Sequence, residues 1–153
     1  MKRVSFKGVI IGGILDVVLS NLAAVPMLIY AAIRLESWKL PSAQQAPALM
    51  DAMTHDTSLL VTGMVAGSLC SVIGGYVAAR IARREPLLNG ALSAWLCLPL
   101  GVYAMFAGSD ALPLWVHLLL LPMSPVLGAV GGLVWLRFNP SAVGDQTTAA
   151  TAS

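Results

Sequence analysis

Four long apolar stretches dominate this chain and constrain what it can fold into. They number 21 to 26 residues each and run over Gly8–Ile33, Ser58–Ala79, Leu87–Ala107 and Leu112–Leu136, which we number spans 1 to 4. With a helical rise of about 1.5 Å per residue, each span is long enough to cross a hydrocarbon layer of about 30 Å. Because lipid offers no hydrogen bonds to the backbone, each span is predicted to be a helix.

The composition supports a membrane protein rather than a soluble domain. Charged residues make up 10 % of the 153 residues, whereas a soluble domain carries roughly a quarter. We therefore predict an all-α membrane protein with a single four-helix transmembrane domain over residues 1–138 and a disordered cytoplasmic tail over residues 139–153. Span 1 contains Asp16 and is longer than the apolar region of a signal peptide, so we expect it to be a membrane span.

The basic residues predict the orientation of the spans. Two of them, Arg34 and Lys39, lie between spans 1 and 2, and the other seven lie on the side of the termini: Lys2, Arg3, Lys7, Arg80, Arg83, Arg84 and Arg137. Since basic residues concentrate in cytoplasmic segments, both termini are predicted to be cytoplasmic. The net charge of +2 gives no reason to expect nucleic acid as a partner.

The segment 34–57 is the one long connection between spans. Ser42-x-x-Gln45 has the spacing of a capping box, after which Pro47 is expected to open a short helix. Leu49, Met50 and Met53 would share one face of that helix. We interpret the segment as an amphipathic outer loop that lies on the membrane surface.

Small residues recur at every fourth position of span 2, at Gly63, Gly67, Ser71, Gly75 and Ala79. Such spacing places them on one helical face, where another backbone can come close. We predict a helix-packing seam that consists of Gly63, Gly67, Gly74, Gly75, Gly128 and Gly132. Two interpretations stay open, since the seam can pack the helices of one chain or join the chain into a homo-oligomer.

Two short motifs occur twice and in the same order. Pro-x-x-x-Tyr occurs at residues 26–30 and 99–103, and Gly-Gly-x-Val-x-x-Arg occurs at residues 74–80 and 131–137. A duplicated helical hairpin would explain both repeats, and coincidence within a biased composition is the alternative.

The stretch Gly74-Gly75-Tyr76-Val77-Ala78-Ala79-Arg80-Ile81-Ala82, followed by Asn89-Gly90, resembles a signature of small four-span bacterial inner-membrane proteins of uncharacterised function. The resemblance covers about 20 residues around one turn. It implies a multi-pass location in the bacterial inner (cytoplasmic) membrane, and it implies no activity.

One acidic residue falls deep inside a span. Asp16 lies nine residues beyond Lys7, about 13 Å along a helix. A carboxyl group at that depth is costly and should face polar partners inside the bundle. We predict an intramembrane polar site of Asp16, Ser20, Asn21, Ser71, Tyr76 and Ser124. It either binds a proton or cation, or holds two helices together by hydrogen bonds.

These features favour a non-enzymatic accessory or assembly protein. It would act by packing its glycine seam against itself or another membrane protein within the lipid bilayer. The alternative is a small oligomeric transporter or channel subunit that uses Asp16, with Pro122 and Pro125 kinking span 4. The sequence contains no motif of a hydrolase or metalloprotease, and we predict no enzyme activity, cofactor or metal site.

Overall fold

The computed structural model describes residues 4–83, 85–96, 99, 102 and 114–140. This part of the chain contains a 3₁₀ turn at Ser37–Lys39 and five α-helices: α1 (Phe6–Arg34), α2 (Ser42–His55), α3 (Thr57–Ala82), α4 (Pro86–Trp95) and α5 (Leu114–Phe138). No strand occurs in these ranges. The prediction of an all-α protein is therefore confirmed.

Helices α1 and α3 are long and apolar enough to cross a membrane. They have 29 and 26 residues, and the most apolar 18 residues of each have mean hydropathy values of 2.0 and 1.7. Helix α5 has 25 residues and confirms a helix at span 4, whereas the crossing of a membrane by spans 3 and 4 stays a prediction. Span 3 begins as α4, but most of its second half, its turn to span 4 and the tail after residue 140 lie outside the described residues.

The connection between α1 and α3 differs from the capping-box prediction, which is wrong. Helix α2 begins at Ser42 itself and follows an extended Pro41, so the Ser42 side chain does not cap the helix. Gln45 instead donates from Nε2 to the carbonyl oxygen of Leu40 at 3.1 Å. Pro47 lies inside α2, where the backbone bond that it removes belongs to the exposed first turn and can be replaced by water.

Helix α2 is fixed to the ends of α1 and α3. Its Leu49, Ala52 and Met53 pack against a small core of Met27, Ala31 and Leu59. The predicted third member of the apolar face, Met50, remains 44 % exposed. The two helix ends are also joined by Arg34, whose guanidinium lies 2.6 Å from the Asp56 carboxylate.

Asp56 also caps α3. Its carboxylate accepts from the backbone N–H groups of Ser58 and Leu59 and from the Ser58 hydroxyl at 2.6 Å. These hydrogen bonds, first of all that from the Ser58 side chain, hold the pKa of Asp56 below its ordinary value of 3.8. The start of α3 is therefore set by a charged cap that also holds the end of α1.

Glycine lets the helix backbones meet directly in the half of the bundle where α1 begins. A Cβ atom added to Gly12 of α1 would lie 2.6 Å from the carbonyl oxygen of Gly74, and one added to Gly74 would lie 2.8 Å from that of Gly12. Added Cβ atoms at Gly75 of α3 and Gly90 of α4 would both overlap the carbonyl oxygen of Gly128 in α5. These contacts require glycine because any side chain would separate the helices.

Helices α3 and α4 each contact both α1 and α5. Within this arrangement α1 packs on α3, and α4 packs on α5. These are the two hairpins that the repeated motifs relate to each other, and the duplication itself stays a prediction.

We expect Gly128→Ala to destabilise the bundle by about 1–3 kcal/mol, because the new methyl group meets the carbonyl oxygen of Gly90. The matched control is Gly67→Ala, since no described atom lies within 4 Å of a Cβ at that position. Its effect should stay within about 0.5 kcal/mol. The free energies of unfolding of both variants are measured by circular dichroism while sodium dodecyl sulfate is added to mixed micelles. Equal losses would contradict the assigned backbone contact.

Candidate functional site

Asp16 is buried at the contact between α1 and α3. The residue is 2 % exposed. The Ser71 hydroxyl of α3 donates to its two carboxyl oxygens at 3.1 and 3.3 Å, and the Ser20 hydroxyl donates at 3.4 Å. A Cβ on Gly74 would lie 2.9 Å from the Asp16 Cβ, so glycine is what allows α3 to come so close. The carboxyl group thus links two helices within a tightly packed contact.

The other predicted members of the polar site lie elsewhere. Asn21 is exposed and donates from Nδ2 to the carbonyl oxygen of Val17 at 2.8 Å. Five residues along a helix turn the side chain by about 140°, which carries Asn21 away from the face of Asp16. Tyr76 is half-buried and makes no hydrogen bond to Asp16. Ser124 donates to the carbonyl oxygen of Ala94 at 3.3 Å, which joins α5 to α4 instead.

A cavity of about 350 Å³ opens between the N-terminal halves of α3 and α5. We call it the glycine groove, and it is lined on α3 by Gly63, Gly67 and Ser71 and on α5 by Ser124 and Leu127. Asp16 does not line the groove. Ser71 does, and its hydroxyl group lies between the groove and the buried carboxyl.

The predicted packing seam is divided between two environments. Gly74, Gly75, Gly128 and Gly132 lie in backbone contacts with neighbouring helices. A Cβ on Gly63 would lie 3.3 Å from the Met27 Cε atom, and a Cβ on Gly67 would have no described atom within 4 Å. One half of the α3 row is therefore used within the bundle, whereas the other half faces the groove.

Asn89 is a buried residue that the sequence analysis did not assign to a site. It is 0 % exposed and accepts the backbone N–H of Ser5 on Oδ1 at 2.8 Å. Its Nδ2 donates to the carbonyl oxygen of Glu85 at 3.0 Å. An amide side chain in the first turn of an apolar span is the signal that would have identified it. The residue fixes the start of α1 against the start of α4.

The described residues hold no group of three or more His, Cys, Asp or Glu side chains placed to bind a metal ion. The chain matches no protein-family model, no curated protein and no solved structure. Functional assignment therefore rests on the geometry of the chain's own residues, and the resemblance carried by residues 74–90 stays a prediction.

A linking role for Asp16 predicts a specific pattern of stability. Asp16→Asn keeps an acceptor for the Ser71 hydroxyl and should leave the free energy of unfolding within about 1 kcal/mol of the original. Asp16→Leu removes that acceptor and crowds Gly74, so we expect a loss of about 1–3 kcal/mol. The exposed Asn21→Leu is the control and should change little. The same detergent titration measures all three, and equal stability of the Leu and Asn variants at Asp16 would rule out the linking role.

Proposed function

We propose that this protein is a non-enzymatic membrane protein that works in assembly, with four spans and both termini in the cytoplasm. It packs its glycine groove against a helix of a second copy or of another membrane protein. The observation that carries the proposal is the open half of the α3 row. Gly67 offers a close approach to backbone that the described part of the chain does not use, whereas the Met27 side chain reaches Gly63 on the same row.

The surface of the helices supports a location in lipid. Large apolar side chains of α1 that are 45–65 % exposed follow its length at Ile10, Ile14, Val18, Leu22, Val25 and Ile29. Each would cost free energy in water at about 25 cal/mol for every Å² of apolar surface. A continuous exposed surface of this kind fits a membrane or a protein partner, and the length of α1 and α3 favours the membrane.

The groove suits a helix better than it suits lipid tails. Between helices in lipid, association is driven by close packing of backbones, and glycine provides the closest approach. The Gly63 and Gly67 positions lie one helical turn apart on the same face, which is the spacing that a second helix follows. Ser71 continues that face toward the packed half of the bundle.

The surroundings of Asp16 favour assembly over transport. A carboxyl group that binds a moving proton or cation needs a path to water. Asp16 is instead 2 % exposed, packed on Gly74 and bonded to two hydroxyl groups. These contacts are those of a group that holds helices together.

Self-association is tested by energy transfer between donor- and acceptor-labelled chains in phosphatidylcholine vesicles. We expect transfer above the random level for the original chain and a loss of it for Gly67→Leu, whose side chain fills the groove. Val18→Leu adds bulk to the exposed face of α1 and should leave transfer unchanged.

If the original chain shows only random transfer, self-association is excluded and a different membrane protein must occupy the groove. In-membrane crosslinking from a photoreactive residue at position 67 then decides. Absence of any crosslinked protein would overturn the assembly proposal.

A small transporter or channel subunit is the second candidate, and one observation favours it. Ser71 both lines the groove and donates to Asp16, so a partner that completes the groove with polar groups would bring a path to the carboxyl. The test is proton or sodium flux into vesicles that contain the protein. The assembly proposal expects the same flux as protein-free vesicles for both the original chain and Asp16→Asn. Flux that Asp16→Asn abolishes would establish the transporter instead.

A further inference from the structure

One end of the bundle carries four exposed basic side chains, Lys7, Arg80, Arg83 and Arg137. We call it the basic end. A Cβ on Gly8 would lie 3.3 Å from the backbone nitrogen of Ala82, which places Lys7 level with the last turn of α3. The chain therefore brings cations from the start of α1 and the end of α3 to one depth.

Arg137 of helix α5 lies at the same depth. A Cβ on Gly131 would lie 2.7 Å from the backbone nitrogen of Tyr76. Helix α4 runs parallel to α1, since Ser5 contacts Asn89 and Gly13 faces Leu96, and their antiparallel hairpin partners α5 and α3 are therefore parallel to each other. Arg137 lies six residues beyond Gly131, about 9 Å further along the helix. The same distance beyond Tyr76 passes Arg80 and reaches Ala82, so Arg137 belongs to the basic end.

The basic side chains at the two ends of the bundle differ in how they are paired. At the opposite end, Arg34 is paired with Asp56 and Lys39 is paired with Glu36. At the basic end, neither Lys7, Arg80 nor Arg137 forms an ion pair with a described residue. Glu85 is the acidic side chain that the described residues place there. The positive charges of Lys7, Arg80 and Arg137 are therefore available to an anionic partner.

Lys7, Arg80 and Arg137 each have a large apolar neighbour in the sequence that is also exposed. Phe6 precedes Lys7 and is 76 % exposed, Ile81 follows Arg80 and is 38 % exposed, and Phe138 follows Arg137 and is 75 % exposed. A soluble phosphate or a nucleic acid would use the cations and leave these side chains in water. The boundary between lipid headgroups and acyl chains accommodates both kinds of side chain at one depth.

We propose that the basic end binds anionic phospholipid headgroups. Phosphates of the lipids around this end accept hydrogen bonds from Lys7, Arg80 and Arg137, and the adjoining acyl chains contact Phe6, Ile81 and Phe138. Guanidinium groups suit this role because they donate two parallel hydrogen bonds to phosphate. The inference rests on the proposed function in one respect, namely that the chain is embedded in a bilayer.

The test measures which lipids surround the full chain in phosphatidylcholine vesicles. Electron paramagnetic resonance of spin-labelled lipid gives the fraction held at the protein surface, for labelled phosphatidylglycerol and for labelled phosphatidylcholine. We expect a roughly five-fold preference for phosphatidylglycerol, about the factor that one basic residue contributes near an anionic surface. Raising the ionic strength from about 0.01 to about 1 M shortens the Debye length from about 30 to about 3 Å and should remove the preference.

Three double variants locate the effect. Arg80→Gln with Arg137→Gln should bring the preference close to one, whereas Arg80→Lys with Arg137→Lys should keep much of it. Arg34→Gln with Lys39→Gln removes the same charge from the opposite end and should leave the preference unchanged. Circular dichroism checks that the variants remain helical, and the salt dependence of the original chain decides if they do not.

Several results would overturn the inference. They are equal association of the two lipids with the original chain, an equal fall in both Gln variants, or a preference that survives high salt. Displacement of labelled phosphatidylglycerol by inorganic phosphate that exceeds its displacement by chloride at the same ionic strength would mean that the cations bind free phosphate.

Alkaline carbonate extraction separates this inference from the proposed function. A chain that is extracted is not embedded and refutes both, whereas an embedded chain without lipid preference refutes the inference alone.

Discussion

The described fold depends on the point where three helix backbones meet at Gly128. Its carbonyl oxygen lies where a Cβ of Gly75 or of Gly90 would have to be. Because α3 and α4 both meet α5 there, the contact fixes the spacing of three helices at once, and α1 joins through Gly12 and Gly74. Dispersion contacts between backbones are weak individually, but in lipid they are a main source of helix association. The burial of Asp16 and the opening of the glycine groove follow from that spacing.

Hydrogen bonds between helices complete the packing by setting how the helices slide along one another. Ser71 joins α3 to Asp16 of α1, and Ser124 joins α5 to Ala94 of α4. Asn89 of α4 holds the backbone N–H of Ser5. In the described part of the chain, no buried side-chain nitrogen or oxygen lacks a hydrogen-bond partner. Buried polar groups are costly when unpaired, so these bonds favour one register of the helices over the neighbouring ones.

The sequence predicted the helices because a long apolar stretch has one way to satisfy its backbone. A lone carboxyl group inside such a stretch also predicted that Asp16 would be buried with polar partners. The partners were harder to predict. Ser20 and Ser71 were proposed together with Asn21, although the helical angle already separates Asn21 from Asp16. The glycine row was predicted as one seam, but spacing alone does not tell which helix a glycine meets. Gly75 and Gly67 have the same residue type and period, and they differ only in what the rest of the chain brings to them. Helix α2 begins earlier than predicted, because Pro41, and not Ser42, is the residue that precedes its first turn.

The ion pair between Arg34 and Asp56 affects how far the segment between these residues can be lengthened. It joins residues 22 positions apart at the end of α1 and the start of α3. The distance that the intervening segment spans is therefore set by the two helices and not by the segment's own length. Lengthening a loop whose ends are already held together costs little, about 0.6 kcal/mol for each doubling. The segment can therefore be lengthened at the exposed Trp38 while the helices beneath keep their positions.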